Sequence, residues 1–313
     1  MKWLIVTVLF YYVSCEDTVS VREPTAGAAA PLADSQNRII GGLPTTIEVY
    51  PYMAQVLANG QPNCGGMVLT ARHVLSAAHC FINQNGAAIS PSVFTVRVGS
   101  TYSMSGGSVH KVSTIVLHES YNNPTSNNDV AVVVLASRIR SFNSSTVRPA
   151  IVPPSGYVVP DNASVVAIGW GRTVENEASS VSPSLRHVSV RKVSRSECAA
   201  RYSALGAQQG NANMFPVTTS MLCAGLLNVG GADACQGDSG GPLVYNGVVV
   251  GVTSWGAGCG NPSYPGVYAR VASYTTWITS TVQRYNGAPT VSVNFLLLVS
   301  LVTSIILTNN TKM

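Results

Sequence analysis

Residues 233–242 read Asp-Ala-Cys-Gln-Gly-Asp-Ser-Gly-Gly-Pro, which places one serine in a glycine-rich turn. A serine hydroxyl is a poor nucleophile at neutral pH and needs an adjacent base to take its proton. Gly237 permits a tight turn without a side chain, so the backbone N–H groups of Gly237 and Ser239 can point at one developing oxyanion. The stretch therefore indicates Ser239 as a candidate nucleophile with two candidate oxyanion donors.

Two other segments supply the partners that such a serine needs. Residues 75–80 read Leu-Ser-Ala-Ala-His-Cys, and residues 128–132 read Asn-Asp-Val-Ala-Val. His79 has an ordinary pKa close to neutrality, which suits a general base. A buried carboxylate such as Asp129 can hold the imidazole in one tautomer. Each segment alone is more typical of a structural residue, but all three in this order predict an activated serine.

The composition favours an all-β domain. The chain has 313 residues, of which 46% are apolar and 10% charged, so it can bury a large core. Short Val- and Thr-rich runs are separated by Gly and Pro, which predicts strands. The examples are Pro51–Leu57, Phe94–Val98, Val130–Leu135, Ser164–Ile168 and Val248–Thr253. One helix is predicted at Tyr274–Tyr285. The formal charge of +5 is scattered, which argues against a nucleic-acid partner.

The N-terminal residues indicate export. Lys2 precedes an apolar stretch over residues 3–13, and small residues follow at Ser14 and Cys15, as in a signal peptide spanning residues 1–15. Residues 16–38 are predicted to be a flexible leader. An exported protein meets an oxidising compartment. Six cysteines remain after residue 15, which allows 15 disulfide pairings, and no Cys-x-x-Cys pair suggests zinc.

These segments resemble the chymotrypsin–trypsin family of serine proteases over residues 39 to about 286. The matching pieces are Arg38-Ile-Ile-Gly-Gly42, Ala77-Ala-His79-Cys80, Asp129, Gly237-Asp-Ser239-Gly-Gly-Pro242, Ser254-Trp-Gly256 and Pro265-Gly-Val-Tyr268. The resemblance implies two packed six-stranded antiparallel barrels with a C-terminal helix and an active site in the cleft between them. It also implies that His79 is the general base, Asp129 its orienting carboxylate and Ser239 the nucleophile.

The resemblance further implies the disulfide pairing and the substrate pocket. The implied disulfides are Cys64–Cys80, Cys198–Cys223 and Cys235–Cys259. The implied pocket residues are Asp233, Ala234, Ser254, Trp255, Gly256 and Gly266. Asp233 forms the pocket floor, and a buried carboxylate there suits a substrate that brings a cation. We therefore expect peptide bonds in proteins to be cut after Arg or Lys, with Arg preferred because Ala234 lacks a hydroxyl to hold a lysine ammonium.

Activation is expected to follow a cut after Arg38. The new α-amino group of Ile39 would pair with Asp238 and order the oxyanion loop. Residues 16–38 would then be an activation propeptide that leaves the enzyme, because it has no cysteine to tether it. The cut is expected from a trypsin-like protease, this one included, and protein protease inhibitors are expected partners.

No cofactor or metal is expected. Calcium-binding members of the family carry acidic residues in the loop that matches residues 101–112, and this loop has none. Asn143 and Asn162 begin glycosylation triplets. The apolar tail, residues 287–313, leaves two alternatives open. It either tethers a secreted enzyme to a membrane, as an anchor or as a cleaved lipid-anchor signal, or extends a soluble one. A binding protein that has kept this fold without catalysis remains the rival function, although all three candidate catalytic residues are present.

Overall fold

The first half of the chain forms a closed six-stranded antiparallel barrel. The computed structural model describes residues 18–25 and 41–286. The barrel strands are β3 (Met53–Ala58), β4 (Gln61–Val68), β5 (His73–Ser76), β6 (Phe94–Val98), β7 (Ser108–Leu117) and β8 (Ala131–Leu135). They close in the order β3-β4-β5-β8-β7-β6. Valine, leucine and methionine side chains of these strands fill the interior and are almost completely buried.

The second half forms a second barrel of the same kind. Its strands are β10 (Ser164–Gly169), β11 (Arg186–Val193), β12 (Met221–Gly225), β13 (Pro242–Tyr245), β14 (Val248–Trp255) and β15 (Gly266–Arg270). They follow the order β10-β13-β14-β15-β12-β11, and pairing of β10 with β11 closes the ring. The short strand β2 (Leu43–Pro44) adds to β11. The two-barrel, all-β fold expected from the sequence is therefore confirmed.

The strand predictions agree with the structure to within two residues at each end. Phe94–Val98 is the same in both, and β14 continues two residues beyond the predicted Thr253. The first hairpin shows why the sequence was informative. Asn59 and Gly60 have φ angles of 50° and 78°, which is the left-handed backbone that a two-residue hairpin turn between β3 and β4 needs.

The described residues contain two α-helices, and the sequence analysis predicted only one of them. The predicted helix is α2 (Thr275–Tyr285), which buries Ile278, Thr281 and Val282 against the core. The other is α1 (Arg195–Gln208), which precedes β12. The side chain of Ser194 accepts a hydrogen bond from the Glu197 N–H and caps its start. No helix in the described residues is long and apolar enough to cross a membrane. The C-terminal tail lies outside those residues.

The leader is not entirely unstructured, which corrects the expectation of a flexible segment. Residues Ser20 and Val21 form strand β1, which pairs in parallel with β9 (Ile151–Val152) in the segment between the barrels. A strand of two residues with its partner 131 positions away leaves no periodic pattern, so sequence reading could not find it.

Three disulfides link cysteines of the described residues, Cys64–Cys80, Cys198–Cys223 and Cys235–Cys259, and these are the pairs that the resemblance implied.

Candidate active site

His79 and Asp129 are joined by two hydrogen bonds. The short helix 78–81 follows β5 and carries His79, whereas Asp129 lies just before β8. The His79 Nδ1 atom lies 2.7 Å from Asp129 Oδ2, and the His79 backbone N–H donates to Oδ1 at 2.9 Å. Burial by itself lowers the pKa of His79, but the charge of Asp129 and the hydrogen bond to it raise the pKa above the ordinary value. The ring is thereby fixed in orientation and made a stronger base.

Ser239 sits in a turn that contacts both barrels. The Gly65 N–H of the first barrel donates to the Ser239 carbonyl at 2.8 Å. The next residue, Gly240, has a φ of 79°, and a Cβ there would lie 2.3 Å from the Ser76 hydroxyl. Only glycine fits this position, because the turn packs directly against the β5 strand that leads to His79.

The amides expected to bind an oxyanion are open. Gly237 has a φ of 99°, and a Cβ at that position would come within 3.1 Å of Gly171. Among residues 18–25 and 41–286, neither the Gly237 nor the Ser239 N–H donates to a protein acceptor, whereas the N–H of Asp238 between them donates to the Cys235 carbonyl. The N–H groups of Gly237 and Ser239 are therefore both available to donate hydrogen bonds to a negatively charged oxygen of a bound substrate.

Ser239 lies where two cavities meet. One cavity, of about 540 Å³, is also lined by His79 and by residues of the first barrel. The other, of about 220 Å³, extends into the second barrel. The hydroxyl of Ser239 makes no hydrogen bond within the described part of the chain, so the expected bond to His79 Nε2 is not formed in this structure. Such bonds are often long in enzymes without substrate.

The second cavity contains every residue that the sequence analysis assigned to the substrate pocket. Its lining includes Asp233, Ala234, Ser254, Trp255, Gly256 and Gly266. Asp233 is only 4% exposed. The Ala234 N–H donates to Asp233 Oδ1 at 2.8 Å, and the Gly260 N–H donates to Oδ2 at 3.2 Å. Burial raises the pKa of Asp233 to about 7, although these two amides oppose the shift.

Glycine at position 266 keeps the Asp233 carboxylate accessible from the cavity. A Cβ on Gly266 would lie 3.0 Å from Asp233 Oδ1. A side chain there would crowd the carboxylate and narrow the approach to it. The cavity thus ends in one buried acid, and a positively charged side chain is the complement that would keep this acid ionised.

Asp238 is a second buried acid, and it lines neither of the cavities that contain Ser239. It is 1% exposed and accepts hydrogen bonds from the Gly171 N–H at 2.7 Å and the Cys235 N–H at 2.9 Å. Burial raises the pKa of Asp238 to about 6. A Cβ on Gly169 or Gly171 would lie 2.1 or 2.3 Å from its oxygens, so both positions must be glycine. Its expected partner Ile39, and Arg38, lie outside the described residues.

Sequence reasoning missed a set of side chains that hold Asp129 in place. Ser254, assigned only to the pocket wall, donates its hydroxyl to Asp129 Oδ2 at 2.5 Å. The neighbouring Asn127 accepts hydrogen bonds from Thr218 and Ser220 of the second barrel, each at 2.8 Å. The Ser254 hydroxyl of the second barrel therefore bonds the carboxylate directly, and the other two hydroxyls hold the segment that carries Asp129. No local pattern marks these hydroxyls, because their partners are distant in sequence.

The described residues offer one cluster with metal-ligand atoms, and its chemistry does not suit a metal. Cys64, His79 and Cys80 have ligand atoms within 4.8 Å of one another, but the two sulfurs form a disulfide and are not thiolates. In the loop that binds calcium in some family members, the Arg97 guanidinium donates to the Gly106 carbonyl at 2.6 Å. Ser100 donates to the carbonyls of Tyr102 and Ser105.

A two-barrel fold with a histidine–aspartate pair and a serine at the interface defines a serine endopeptidase. The family model described as Trypsin matches residues 39–278. Trypsin CFT-1 of Choristoneura fumiferana is 43% identical over 257 residues, which cover 80% of this chain and 93% of that protein. Trypsin, alkaline C of Manduca sexta is 43% identical over 81% of this chain and 94% of its own length, and Trypsin alpha of Drosophila melanogaster is 42% identical over 80% and 90%. The chain belongs to the trypsin family.

Proposed function

We propose that this endopeptidase is secreted as a precursor, is activated by a cut between Arg38 and Ile39, and cleaves proteins after Arg, and less efficiently after Lys. The observation that carries the proposal is the buried carboxylate of Asp233 in the cavity that Ser239 also lines. Residues 1–15 are the proposed signal peptide, 16–38 the propeptide and 39–286 the protease domain.

The proposed chemistry divides one acyl transfer into two steps. His79 Nε2 takes the proton of Ser239 as its oxygen attacks the carbonyl carbon of the peptide bond. The resulting oxyanion accepts hydrogen bonds from the N–H groups of Gly237 and Ser239. The intermediate then collapses to an acyl-enzyme, and His79 gives its proton to the departing amine. Water, deprotonated by His79, attacks the acyl group in the same way, and His79 then gives that proton to the Ser239 oxygen as the bond between this oxygen and the acyl carbon breaks. Asp129 accepts hydrogen bonds from the His79 backbone N–H and ring Nδ1–H, which supports its role as the orienting carboxylate and leaves Nε2 for the proton transfer.

Two properties of the Asp233 site support a cationic specificity. An isolated carboxylate in a buried site is costly to ionise, as its raised pKa of about 7 reflects. A guanidinium in the cavity restores the ionised form by direct pairing. Removing one partner of a buried hydrogen-bonded charge pair typically costs about 2–5 kcal/mol, so Asp233→Ser should lower kcat/KM for Arg substrates by roughly 30- to 5,000-fold.

Activation would use the other buried acid. The pocket of Asp238 contains backbone amides from Gly171 and Cys235, and no Lys, Arg or His of the described residues forms a salt bridge with it. The α-amino group released at Ile39 is a cation of the right size to enter such a pocket. Since Asp238 lies between the two oxyanion donors, pairing there would fix the turn that presents them. Arg38 itself fits the Asp233 pocket, so a trypsin-like protease, including this one, can make the cut.

Active-site labelling tests the proposal. Full-length precursor is treated with trypsin and then with an organofluorophosphate, and the labelled residue is identified by mass spectrometry. We expect Ser239 to be labelled only after cleavage at Arg38, and Arg38→Gln to remain folded, unlabelled and inactive. Label on another residue would refute the role of Ser239, whereas full activity of uncut Arg38→Gln would refute the activation scheme alone. Asp233→Ser, compared on Arg and Lys substrates, tests specificity separately.

A further inference from the structure

The leader contacts the protease domain through a defined segment. Residues 18–25 read Thr-Val-Ser-Val-Arg-Glu-Pro-Thr. Ser20 pairs with Ile151 and Val21 with Val152 in parallel register, and the Arg22 N–H donates to the Val152 carbonyl at 2.9 Å. β9 pairs with no strand of the described residues other than β1. The leader thus supplies the strand partner that β9 otherwise lacks.

The two valines of the segment differ in their surroundings. Val19 is partly buried and packs against the main apolar core, whereas the Val21 side chain is 45% exposed. Val19 lies just before the two-residue strand Ser20–Val21, so its burial comes from its packing on the core and not from strand alternation, in which residues two apart share a face. Val19 is therefore the side chain that anchors the segment. Val21, an exposed valine two residues away, is the matched control for substitutions of Val19.

The β9 strand lies at a junction of the molecule. Val152 belongs to the core cluster that includes the first barrel, and Ile151 packs against the core of the second. The adjacent Pro153 carbonyl accepts a hydrogen bond from the Thr275 hydroxyl at the start of α2, at 2.8 Å. The strand to which the leader adds is thus held firmly by the protease domain.

The docked segment does not obstruct substrate. None of residues 18–25 lines either cavity that contains Ser239. Docking of the leader therefore does not by itself close the active site. Removing the segment from β9 would not by itself open the Asp233 pocket.

We propose that residues 18–25 are a docking segment that holds the leader on β9 in the precursor, and that the cut after Arg38 makes this contact reversible, leaving β9 as a binding edge for the freed leader. The second half of this inference rests on the proposed activation. One strand pairing and one apolar anchor correspond to a dissociation constant on the order of 1 mM. Within one chain the local concentration is on the order of several millimolar, which exceeds this dissociation constant, so the segment is docked in most molecules. After the cut, dilution to micromolar concentrations releases it.

Hydrogen exchange in the uncut chain tests the docking. In Arg38→Gln precursor, we expect the Arg22 amide to exchange at least about threefold more slowly than in the same chain carrying Val19→Asp. Val21→Asp introduces the same charge on the exposed face and should keep the protection. Equal exchange of the Arg22 amide in all three chains, or equal loss of its protection in both Asp variants, would overturn the docking. No cleavage or activity is measured here, so this result is independent of the activation scheme.

Peptide binding tests the release. A fluorescent peptide of residues 18–25 is titrated against mature enzyme blocked with organofluorophosphate, and against Arg38→Gln precursor. We expect half-saturation on the order of 1 mM with the mature enzyme, at least about threefold weaker binding to the precursor, and none with a Val19→Asp peptide. No binding up to about 5 mM, or equal binding of both peptides, would refute a site on β9. Equal affinity for mature enzyme and precursor would refute occupation by the leader.

Discussion

Replacing Ala234 with serine changes one wall of the Asp233 cavity and tests how the enzyme distinguishes Arg from Lys. The Ala234 and Gly260 amides each occupy one position on the two oxygens of Asp233. A carboxylate has about four acceptor positions, so roughly one remains free on each oxygen. The planar fork of an arginine matches two such positions, whereas a lysine ammonium has three donors on a single point and needs other acceptors.

The alanine methyl supplies no such acceptor. A hydrogen bond to a charged group is worth about 1.5–3 kcal/mol, which corresponds to roughly 10- to 150-fold in kcat/KM. Water in the cavity recovers part of this for lysine, so we expect the wild type to favour Arg by at least about tenfold. Ala234→Ser should narrow the gap by improving Lys cleavage more than Arg cleavage.

The assay uses two peptides that differ only in Arg or Lys before the cleaved bond, at a pH where Asp233 is ionised. Ala234→Gly is the matched control, because it removes the methyl group without adding a hydroxyl, and it should leave Lys cleavage without this gain. Equal cleavage of both peptides by the wild type, or identical ratios for the Ser and Gly variants, would show that this explanation of the pocket is wrong.

Three other experiments follow from the structure. Since the charge of Asp129 raises the pKa of His79, Asp129→Asn should move the acidic limb of the kcat/KM profile to lower pH and also lower kcat; an unmoved limb would contradict the pairing. Arg97→Gln should lower the free energy of unfolding by about 1–2 kcal/mol, because it removes the bond to the Gly106 carbonyl. EDTA or added Ca²⁺ should leave the melting temperature of the wild type unchanged, and a calcium-dependent shift would disprove the expectation that this loop binds no calcium. Deleting residues 287–313 should release the enzyme from the membrane fraction if the tail is a tether, and equal solubility of both forms would favour a soluble extension.

Local patterns predicted the strands and pointed to the candidate catalytic residues, whereas the arrangement of the strands in two barrels was implied by the family resemblance. Alternating apolar residues specify the strands, and Gly237, Ser239 and Gly240 occupy a turn whose backbone demands are visible in the residues themselves. The contacts of Ser254 and Asn127 could not be predicted in this way. Each links residues more than 90 positions apart, and a serine or asparagine has many local uses.

Helix α1 was missed for a different reason. Its buried residues are Cys198, Tyr202 and Gly206, a narrow line of three at four-residue spacing, so the apolar period is weak. The sequence nevertheless marks the start of this helix, since Ser194 and Glu197 have the spacing of a capping box. A search for caps would have found this helix, whereas a search for amphipathic stripes could not.

The bond from the Gly65 amide to the Ser239 carbonyl has a consequence for how loss of structure can be followed. The base stands on one barrel, the nucleophile on the other, and the Ser254 hydroxyl that fixes Asp129 crosses between them. Turnover therefore requires both barrels and their mutual alignment at once. Residual activity during heating should report the first separation of the two barrels. It should fall before circular dichroism detects unfolding of either barrel.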